Sequence, residues 1–126
     1  MVISLGGNIT SSNNAGLMLL NNNVPYFIYS NPGASSGSAQ NEGDWLHIVG
    51  TYDETNTTIY VNGAQVDQDV RTAADITNEF AKFIGRDGTD PNRYYHSQIA
   101  QPRIYNRGLT ASEVLNNYNV TKDLYI

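Results

Sequence analysis

The stretch DWLHIVGTYDETNTTIYVNG, residues 44–63, decides the fold of this chain. It contains two runs rich in β-branched and aromatic residues, 44–52 and 57–61, with a polar turn between them. Side chains alternate between the two faces of a strand, so such runs predict strands whose faces differ in burial. The Asn-Gly pair at 62–63 favours a two-residue turn, because both residues tolerate positive φ. The stretch therefore predicts consecutive antiparallel strands, with 64–70 as the returning strand.

The rest of the chain repeats this pattern of short β-type runs between turn residues. Further strands are predicted at 2–5, 16–20, 24–30, 80–84 and 94–105. The Asn cluster at 21–23 predicts a hairpin turn, 31–43 predicts a surface loop, and 71–79 is ambiguous between strand and helical turn. Only one helix is indicated, where Thr110 and Glu113 have the spacing of a capping box before a short apolar face. These patterns predict one all-β sandwich domain with one short C-terminal helix.

Composition excludes several classes of function. The 126 residues carry 12 acidic and 7 basic side chains, a net charge of −5, with no cluster of Lys and Arg, so we expect no nucleic-acid partner. No apolar run approaches the roughly 20 residues of a membrane span, and we expect no membrane partner. The absence of Cys excludes disulfides and Cys-ligated zinc. Residues 1–5 lack the features of a secretory signal, which predicts retention in the producing cell or exit by another route, such as within a virus particle.

Several separated blocks resemble one family. Trp45–Asp53 and Thr58–Gly63 look like the central hairpin of laminin G-like domains, which belong to the concanavalin A-like lectin/glucanase superfamily. Phe83–Arg86 is similar to the family's next strand, and Ile104–Tyr118 to its closing strand and short helix. The resemblance covers 44–118 well and 1–30 loosely, and it implies an antiparallel jelly-roll β-sandwich. The Asn-rich, Cys-free form is similar to modules of phage tail and virion-surface proteins.

The chain departs from this family in two places. Relatives usually carry more N-terminal strands, so the domain 1–126 is expected to lack the family's first strands and to leave a sheet edge open. We therefore predict that other protein chains pair with this edge, in a homo-oligomer or a larger assembly. Relatives also often carry an acidic pair where Ala100-Gln101-Pro102 stand here, so the roles of those carboxylates, calcium binding included, do not carry over.

The segment 86–96 is the candidate ligand site. A stacking aromatic ring beside polar donors and acceptors suits a neutral sugar, and this segment offers such a set: Arg86, Asp87, Asp90, Asn92, Tyr94 and Tyr95. Alternation predicts that one of the two tyrosines is buried. Oxygen ligands on a loop also suit Ca²⁺, so Asp87, Asp90 and Asn92 are tentative calcium ligands. The alternatives are an ordinary sandwich surface and a turn whose Asp and Asn side chains bond the local backbone.

Other residues have simpler interpretations. Trp45, the single Trp, is an obvious sugar platform, yet core packing is favoured because a Trp side chain buries a large area. His47 on the same strand face is interpreted as structural. Glycoside hydrolysis needs two carboxylates about 5–9.5 Å apart, and the Glu-x-Asp-x-x-Glu run of the superfamily's glucanases is absent. We therefore expect no enzyme and no catalytic residues, and no cofactor other than possible calcium.

The sequence thus predicts a non-catalytic carbohydrate-binding or adhesion module on a virion or extracellular surface. The alternative is a structural decoration or assembly protein of a virus particle, whose sheet edge neighbouring chains complete. A glycoside hydrolase is a third, disfavoured hypothesis.

Overall fold

The structure is a computed structural model that describes residues 3–4, 15–29, 34–35, 38–71, 82–87, 90 and 92–125. The sequence predictions for residues 72–79 of the ambiguous stretch 71–79 and for parts of the loop 31–43 lie outside these residues. Within them, no helix has the length and apolar character needed to cross a membrane.

Two antiparallel sheets make up the fold. The first has the order β4-β3-β2-β1-β8, with strands β1 Ile3–Ser4, β2 Ala15–Leu19, β3 Pro25–Tyr29, β4 Ala34–Ser35 and β8 Phe83–Ile84. The second has the order β5-β6-β7, with strands β5 Ile48–Tyr52, β6 Asn56–Val61 and β7 Ala64–Val70. Helix α1 spans Ala111–Thr121, and a 3₁₀ helix spans Lys122–Leu124. The prediction of an all-β sandwich with one short C-terminal helix is confirmed.

The core lies where β3 of the first sheet faces β5 and β6 of the second. Phe27 and Ile59 form its centre, with Leu17, Tyr29 and Ile48 packed around them. The strands approach most closely at Gly50, where an added Cβ would lie 2.2 Å from the Phe27 ring. The face of β5 that carries Ile48 and Gly50 is therefore the core face, and the face that carries Val49 points away from the first sheet.

Two predicted turns form as the sequence indicated. Asn62 and Gly63 have φ values of 51° and 82°, the conformation of the tight hairpin turn that joins β6 to β7. The β2–β3 hairpin turns at the Asn cluster, where Asn23 has φ 57° and its N–H donates to the Leu20 carbonyl over 2.9 Å. In both places, residues that tolerate positive φ stand where the chain must reverse.

Helix α1 begins with the predicted capping box. The Thr110 hydroxyl accepts from the Glu113 N–H, and the Glu113 carboxylate accepts from the Thr110 N–H over 2.9 Å. Arg107 also donates two hydrogen bonds to Glu113, over 2.6 and 2.8 Å. These donors, Arg107 first, lower the pKa of Glu113 from 4.5 to about 2. The helix continues to Thr121, and Val114 on its inner face is fully buried.

The prediction of a strand at 94–105 is wrong. Of these residues only Tyr94 takes part in strand pairing, as an isolated bridge to Arg86. Gln101 has φ 47°, which breaks an extended run, and Pro102 has no N–H to give to a ladder. Ile104 is consequently 65% exposed. The strand predicted at 44–52 is shorter than expected, since β5 begins only at Ile48.

The outer edge of the second sheet is formed by β7. Asp67 and Asp69 lie on this strand, and the register against β6 shifts between Ile59 and Tyr60. The shift leaves Val66 without a cross-strand partner, so β7 carries a bulge.

Candidate functional site

The two ends of the segment 86–94 pair with each other beside β8. Arg86 and Tyr94 bridge across its base, where the Tyr95 N–H donates to the Gly85 carbonyl over 2.8 Å. One residue further in, the Asp87 N–H donates to the Arg93 carbonyl over 3.0 Å. Gly85 has φ 85°, a conformation that favours glycine, at the point where the chain leaves β8 for the loop. Backbone pairing thus fixes the base of the candidate site.

The acidic side chains of this loop lie against an arginine. Asp90 Oδ2 is 3.0 Å from Arg93 Nε, and Asp87 Oδ2 is 3.7 Å from Arg93 Nη1. The Asp87 side chain is 0% exposed, so this guanidinium covers a buried carboxylate. Asp90 Oδ1 accepts from the Asn92 N–H over 2.9 Å, which is the local turn bonding considered as the alternative.

The ion pairs of Arg93 with Asp87 and Asp90 affect how well this loop could bind calcium. The Arg93 guanidinium already balances part of the charge on both carboxylates. Among the described residues, no group of three or more His, Cys, Asp or Glu side chains is placed to hold a metal ion. Asp87 and Asp90 are therefore two carboxylates that share one cation, and Asn92 adds a neutral amide. Calcium at Asp87, Asp90 and Asn92 stays a prediction.

Four described residues of this segment line a cleft: Asp87, Asn92, Arg93 and Tyr94. Tyr94 is 50% exposed, and the space beside it, which we call the Tyr94 cleft, has a volume of about 560 Å³. Its walls come from the β2–β3 turn and from the loop: Met18, Leu19, Leu20, Asn21, Asn22, Asp87, Asn92, Arg93 and Tyr94. The cleft therefore combines one aromatic ring, apolar side chains and three amide side chains, within the size range of small-ligand sites.

The structure brings together only part of the predicted set. Asp87, Asn92 and Tyr94 line the Tyr94 cleft, and Asp90 supports it through Arg93. Arg86 turns away, with its guanidinium carbon 4.1 Å from the centre of the Phe83 ring. Tyr95 is half-buried and lines a larger cleft that Tyr94 also borders, so neither tyrosine is buried as alternation predicted.

Sequence reasoning missed the contribution of the β2–β3 turn to this cleft. Asn21 and Asn22 are exposed turn residues that line it opposite the 86–94 loop. They are some 70 positions from Tyr94 in the sequence, and no local pattern links the two segments. The only indication available was chemical, since an Asn cluster places neutral donors and acceptors at a turn.

A second, larger cleft of about 1400 Å³ runs along β5, and we call it the β5 cleft. One wall is β5 with the residues before it, and the other is the extended segment 94–109. Trp45 lies at one end and is 40% exposed, so the preferred interpretation of Trp45 as a core residue is wrong. The physical reason is its position, because Trp45 precedes the first residue of β5 and contacts Tyr125, with the two ring centres 4.9 Å apart.

His47 lies behind Trp45 in the same cleft. Its ring centre is 5.8 Å from that of Tyr118 on α1, and its interpretation as a structural residue stays a prediction. Burial, and then the charge of Arg103, lower the pKa of His47 below its ordinary value of 6.5. The imidazole is therefore neutral at pH 7.

Comparison with known proteins decides the family. The profile of a laminin G type, described as concanavalin A-like lectin/glucanases superfamily, matches residues 2–115. The chain belongs to this superfamily. The family resemblance found in the sequence is thereby confirmed, and with it the expected jelly-roll form of the β-sandwich. Within the superfamily, this chain presents the Tyr94 cleft and the β5 cleft.

One solved structure in this comparison is similar over most of the chain. It is the crystal structure of an S-layer domain-containing protein, residues 221–444, from Clostridium thermocellum ATCC 27405. The TM-score is 0.57 at 24% sequence identity, and the similarity covers 91% of this chain and 62% of that one. The likeness shows the fold alone, and the chain spans less than two thirds of its neighbour's length. No curated protein sequence matches the chain.

Proposed function

We propose that this domain is a non-catalytic carbohydrate-binding module that works at an extracellular or virion surface. The observation that carries the proposal is the Tyr94 cleft, in which a half-exposed tyrosine ring faces neutral amide groups. The apolar face of a sugar ring stacks on an aromatic ring, while its hydroxyls need nearby donors and acceptors. Asn21, Asn22 and Asn92 supply both from their amides.

Two further points support this assignment. The superfamily takes its name from lectins and glucanases, and the structural neighbour comes from an S-layer domain-containing protein. Those names suit a surface module that binds carbohydrate. The superfamily also includes hydrolases, and the non-catalytic part of the proposal is based on the absence from the sequence of the Glu-x-Asp-x-x-Glu run.

The proposal is tested by a glycan array of the purified chain, run with calcium and again with a chelator. The expected result is binding that Tyr94→Ala weakens about fivefold, as the loss of a stacked ring worth about 1 kcal/mol implies. Tyr94→Phe should retain binding, because the ring stays. Tyr105→Ala is the matched control, since Tyr105 is 45% exposed and lies outside the Tyr94 cleft. A folded protein that binds no glycan in either arm contradicts the proposal.

A second candidate function is assembly through the edge of β5. The Asn62 N–H donates to the His47 carbonyl over 2.8 Å, which makes these residues a hydrogen-bonded pair. By alternation along the register, the N–H and C=O groups of Ile48, Gly50 and Tyr52 point away from β6. Within the described ranges, no backbone hydrogen bond reaches these groups. The edge is uncovered at Ile48 and Gly50, whereas at Tyr52 the chain itself comes close, since a Cβ added at Gly108 would lie 2.8 Å from the Tyr52 carbonyl oxygen. This edge supports the proposal that another chain adds a strand there.

Assembly is tested by light scattering over a range of concentrations, with amide hydrogen exchange on the same samples. Strand addition predicts a multimer in which the Ile48, Gly50 and Tyr52 amides are protected. The Val49 and Thr51 amides, which face β6, serve as internal controls and should be protected in both states. A monomer at every concentration, with rapid exchange at the three outward amides, removes this candidate.

A further inference from the structure

The uncovered part of the β5 edge has a defined set of hydrogen-bonding groups. Antiparallel pairing with β6 turns the N–H and C=O groups of alternate residues outwards, and Ile48 and Gly50 belong to this series. Within the described part of the chain, no backbone hydrogen bond reaches the outward groups of either residue. At Tyr52, the next residue of the series, Gly108 lies close to the carbonyl oxygen. The uncovered edge therefore offers two donors and two acceptors within three consecutive residues.

A second β5 strand matches all four groups in one antiparallel register. Ile48 of each copy pairs with Gly50 of the other, and each hydrogen-bonded pair exchanges two bonds, so four bonds form. A register with Gly50 opposite Gly50 would place Ile48 opposite Tyr52, where it needs the carbonyl oxygen that Gly108 approaches. A register with Ile48 opposite Ile48 would pair Gly50 with Leu46, which precedes β5. The edge therefore favours the four-bond register.

This register brings the two Val49 side chains together. Val49 of one copy lies opposite Val49 of the other as a non-hydrogen-bonded pair, in which the Cα atoms are about 4.5 Å apart and the side chains are closest. Val49 is half-buried, and β-branched side chains pack well across strands. The strand Ile48–Tyr52 has no charged side chain, so two identical copies meet without like charges along the ladder.

The surroundings of the edge also suit a protein partner. The β5 cleft, with a volume of about 1400 Å³, lies along Ile48–Tyr52 and provides space beside it. Trp45, three residues before β5, is 40% exposed, with its ring centre 4.9 Å from that of Tyr125. Protein interfaces are enriched in aromatic residues, and an exposed aromatic pair beside an unpaired strand edge favours a surface that another chain covers.

We infer that the partner at the β5 edge is a second copy of this chain, joined by antiparallel pairing of the two β5 strands with Val49 opposite Val49. The inference rests on the second candidate function, assembly through this edge, and adds the identity of the partner and the register of the strands.

Acidic residues on both sides of β5 make this association sensitive to salt. Glu42 and Asp44 precede the strand, and Asp53 and Glu54 follow it. Antiparallel pairing brings the start of one strand beside the end of the other, so these carboxylates approach carboxylates of the second copy. Salt screens repulsion between exposed charges, so the association should be tighter at high salt than at low salt.

The absence of Cys from the chain allows the register to be tested with one introduced thiol. Two Cα atoms about 4.5 Å apart can be joined by a disulfide, so Val49→Cys should form a covalent dimer. The oxidant is oxidised glutathione, which takes two electrons and two protons from the two thiols and leaves as two reduced molecules. Val66→Cys is the matched control. Val66 is a 41% exposed valine on the other edge strand of the same sheet, and its thiol should form much less dimer on a non-reducing gel.

A charge at the same position tests the contact without a covalent bond. In Val49→Lys the two ammonium groups would lie opposite each other, which should weaken the association about fivefold in light scattering over a range of concentrations. Val49→Thr keeps the β-branched shape without charge and should retain the association. Circular dichroism of both variants confirms that they are folded.

The outcomes separate this inference from the candidate function beneath it. A multimer with protected Ile48 and Gly50 amides, but with no more Val49→Cys dimer than the Val66→Cys control, overturns the inference and leaves assembly through the β5 edge standing. A Val49→Cys protein that joins Thr51→Cys in preference to itself has the same meaning, because it indicates the register with Gly50 opposite Gly50. Association that Val49→Lys does not weaken, or that salt weakens, also overturns the inference. A monomer at every concentration, with no excess of Val49→Cys dimer, overturns both.

Discussion

Replacing Gly50 by Ala tests the contact that holds the two sheets together. The new methyl carbon would lie 2.2 Å from Phe27 Cδ2 and 2.3 Å from Phe27 Cγ. Ordinary contacts of this kind begin near 3.4 Å, so the ring must retreat by more than about 1 Å or the sheets must separate. Phe27 is only 8% exposed and packs on the fully buried Ile59, which leaves the ring little room to move.

The expected loss of stability follows from this crowding. Overpacking a well-packed core costs about 1–3 kcal/mol. For a domain of this size, each kcal/mol lowers the melting temperature by roughly 3–5 °C. Gly50→Ala should therefore lower Tm by about 3–15 °C. The loss of glycine's unfolded-state freedom acts in the opposite direction, but by less than about 1 kcal/mol.

A double-mutant cycle identifies the cause. Urea denaturation, followed by far-UV circular dichroism, is measured for Gly50→Ala, Phe27→Leu and the pair. Leu lacks the ring that the methyl would meet, so Gly50→Ala should cost about 1–2 kcal/mol less in the Phe27→Leu background. If the losses of unfolding free energy in the two single variants simply add in the double variant, Gly50 does not lie against Phe27. The same conclusion follows if Gly50→Ala is as stable as the original protein.

Three further predictions concern ionisation and metal binding. Folding lowers the pKa of His47 below its unfolded value of 6.5, so the contribution of His47 to stability is present above pH 6.5 and is lost as the pH falls below it. The unfolding free energy of His47→Gln should therefore depend less on pH below 6.5 than that of the unmodified protein. The pKa of Glu113 is lowered from 4.5 to about 2, so the contribution of Glu113 to stability is present above pH 4.5 and is lost as the pH falls through 2. In an NMR titration, Arg107→Ala should move the pKa of Glu113 back towards 4.5. If calcium binds at Asp87 and Asp90, a chelator should lower the melting temperature of the unmodified protein. In Asp90→Asn the chelator should have no effect on the melting temperature. An unmodified protein whose melting temperature no chelator changes rules out these residues as ligands.

Local patterns predicted the parts of this fold that local chemistry determines. The Asn62-Gly63 turn follows from backbone preferences, and the strand 64–70 was predicted with the boundaries of β7. The start of α1 was likewise predictable, because Thr110 and Glu113 satisfy the first N–H groups of the helix through their own side chains. In each case the deciding contacts join residues only a few positions apart.

The predictions that failed concern features that depend on contacts between residues far apart in the sequence. The run 94–105 has the composition of a strand, but a strand also needs a partner, and the positive φ at Gln101 interrupts it. The exposure of Trp45 depends on where β5 begins and on Tyr125, 80 positions away. For the same reason the sequence located the 86–94 loop of the candidate site and missed the β2–β3 turn that faces it.

The two edges of the second sheet differ in a way that limits how many copies could join. The β7 edge carries Asp67 and Asp69 and a bulge at Val66, features that discourage a strand from pairing there. The β5 edge, Ile48–Tyr52, has no charged side chain. If the β5 edge pairs with a second copy as proposed, the second sheet keeps no other edge that favours pairing, so two copies that met through β5 would occupy each other's edge. Growth would then stop at a closed pair with two-fold symmetry, and an open fibre would require a second kind of contact.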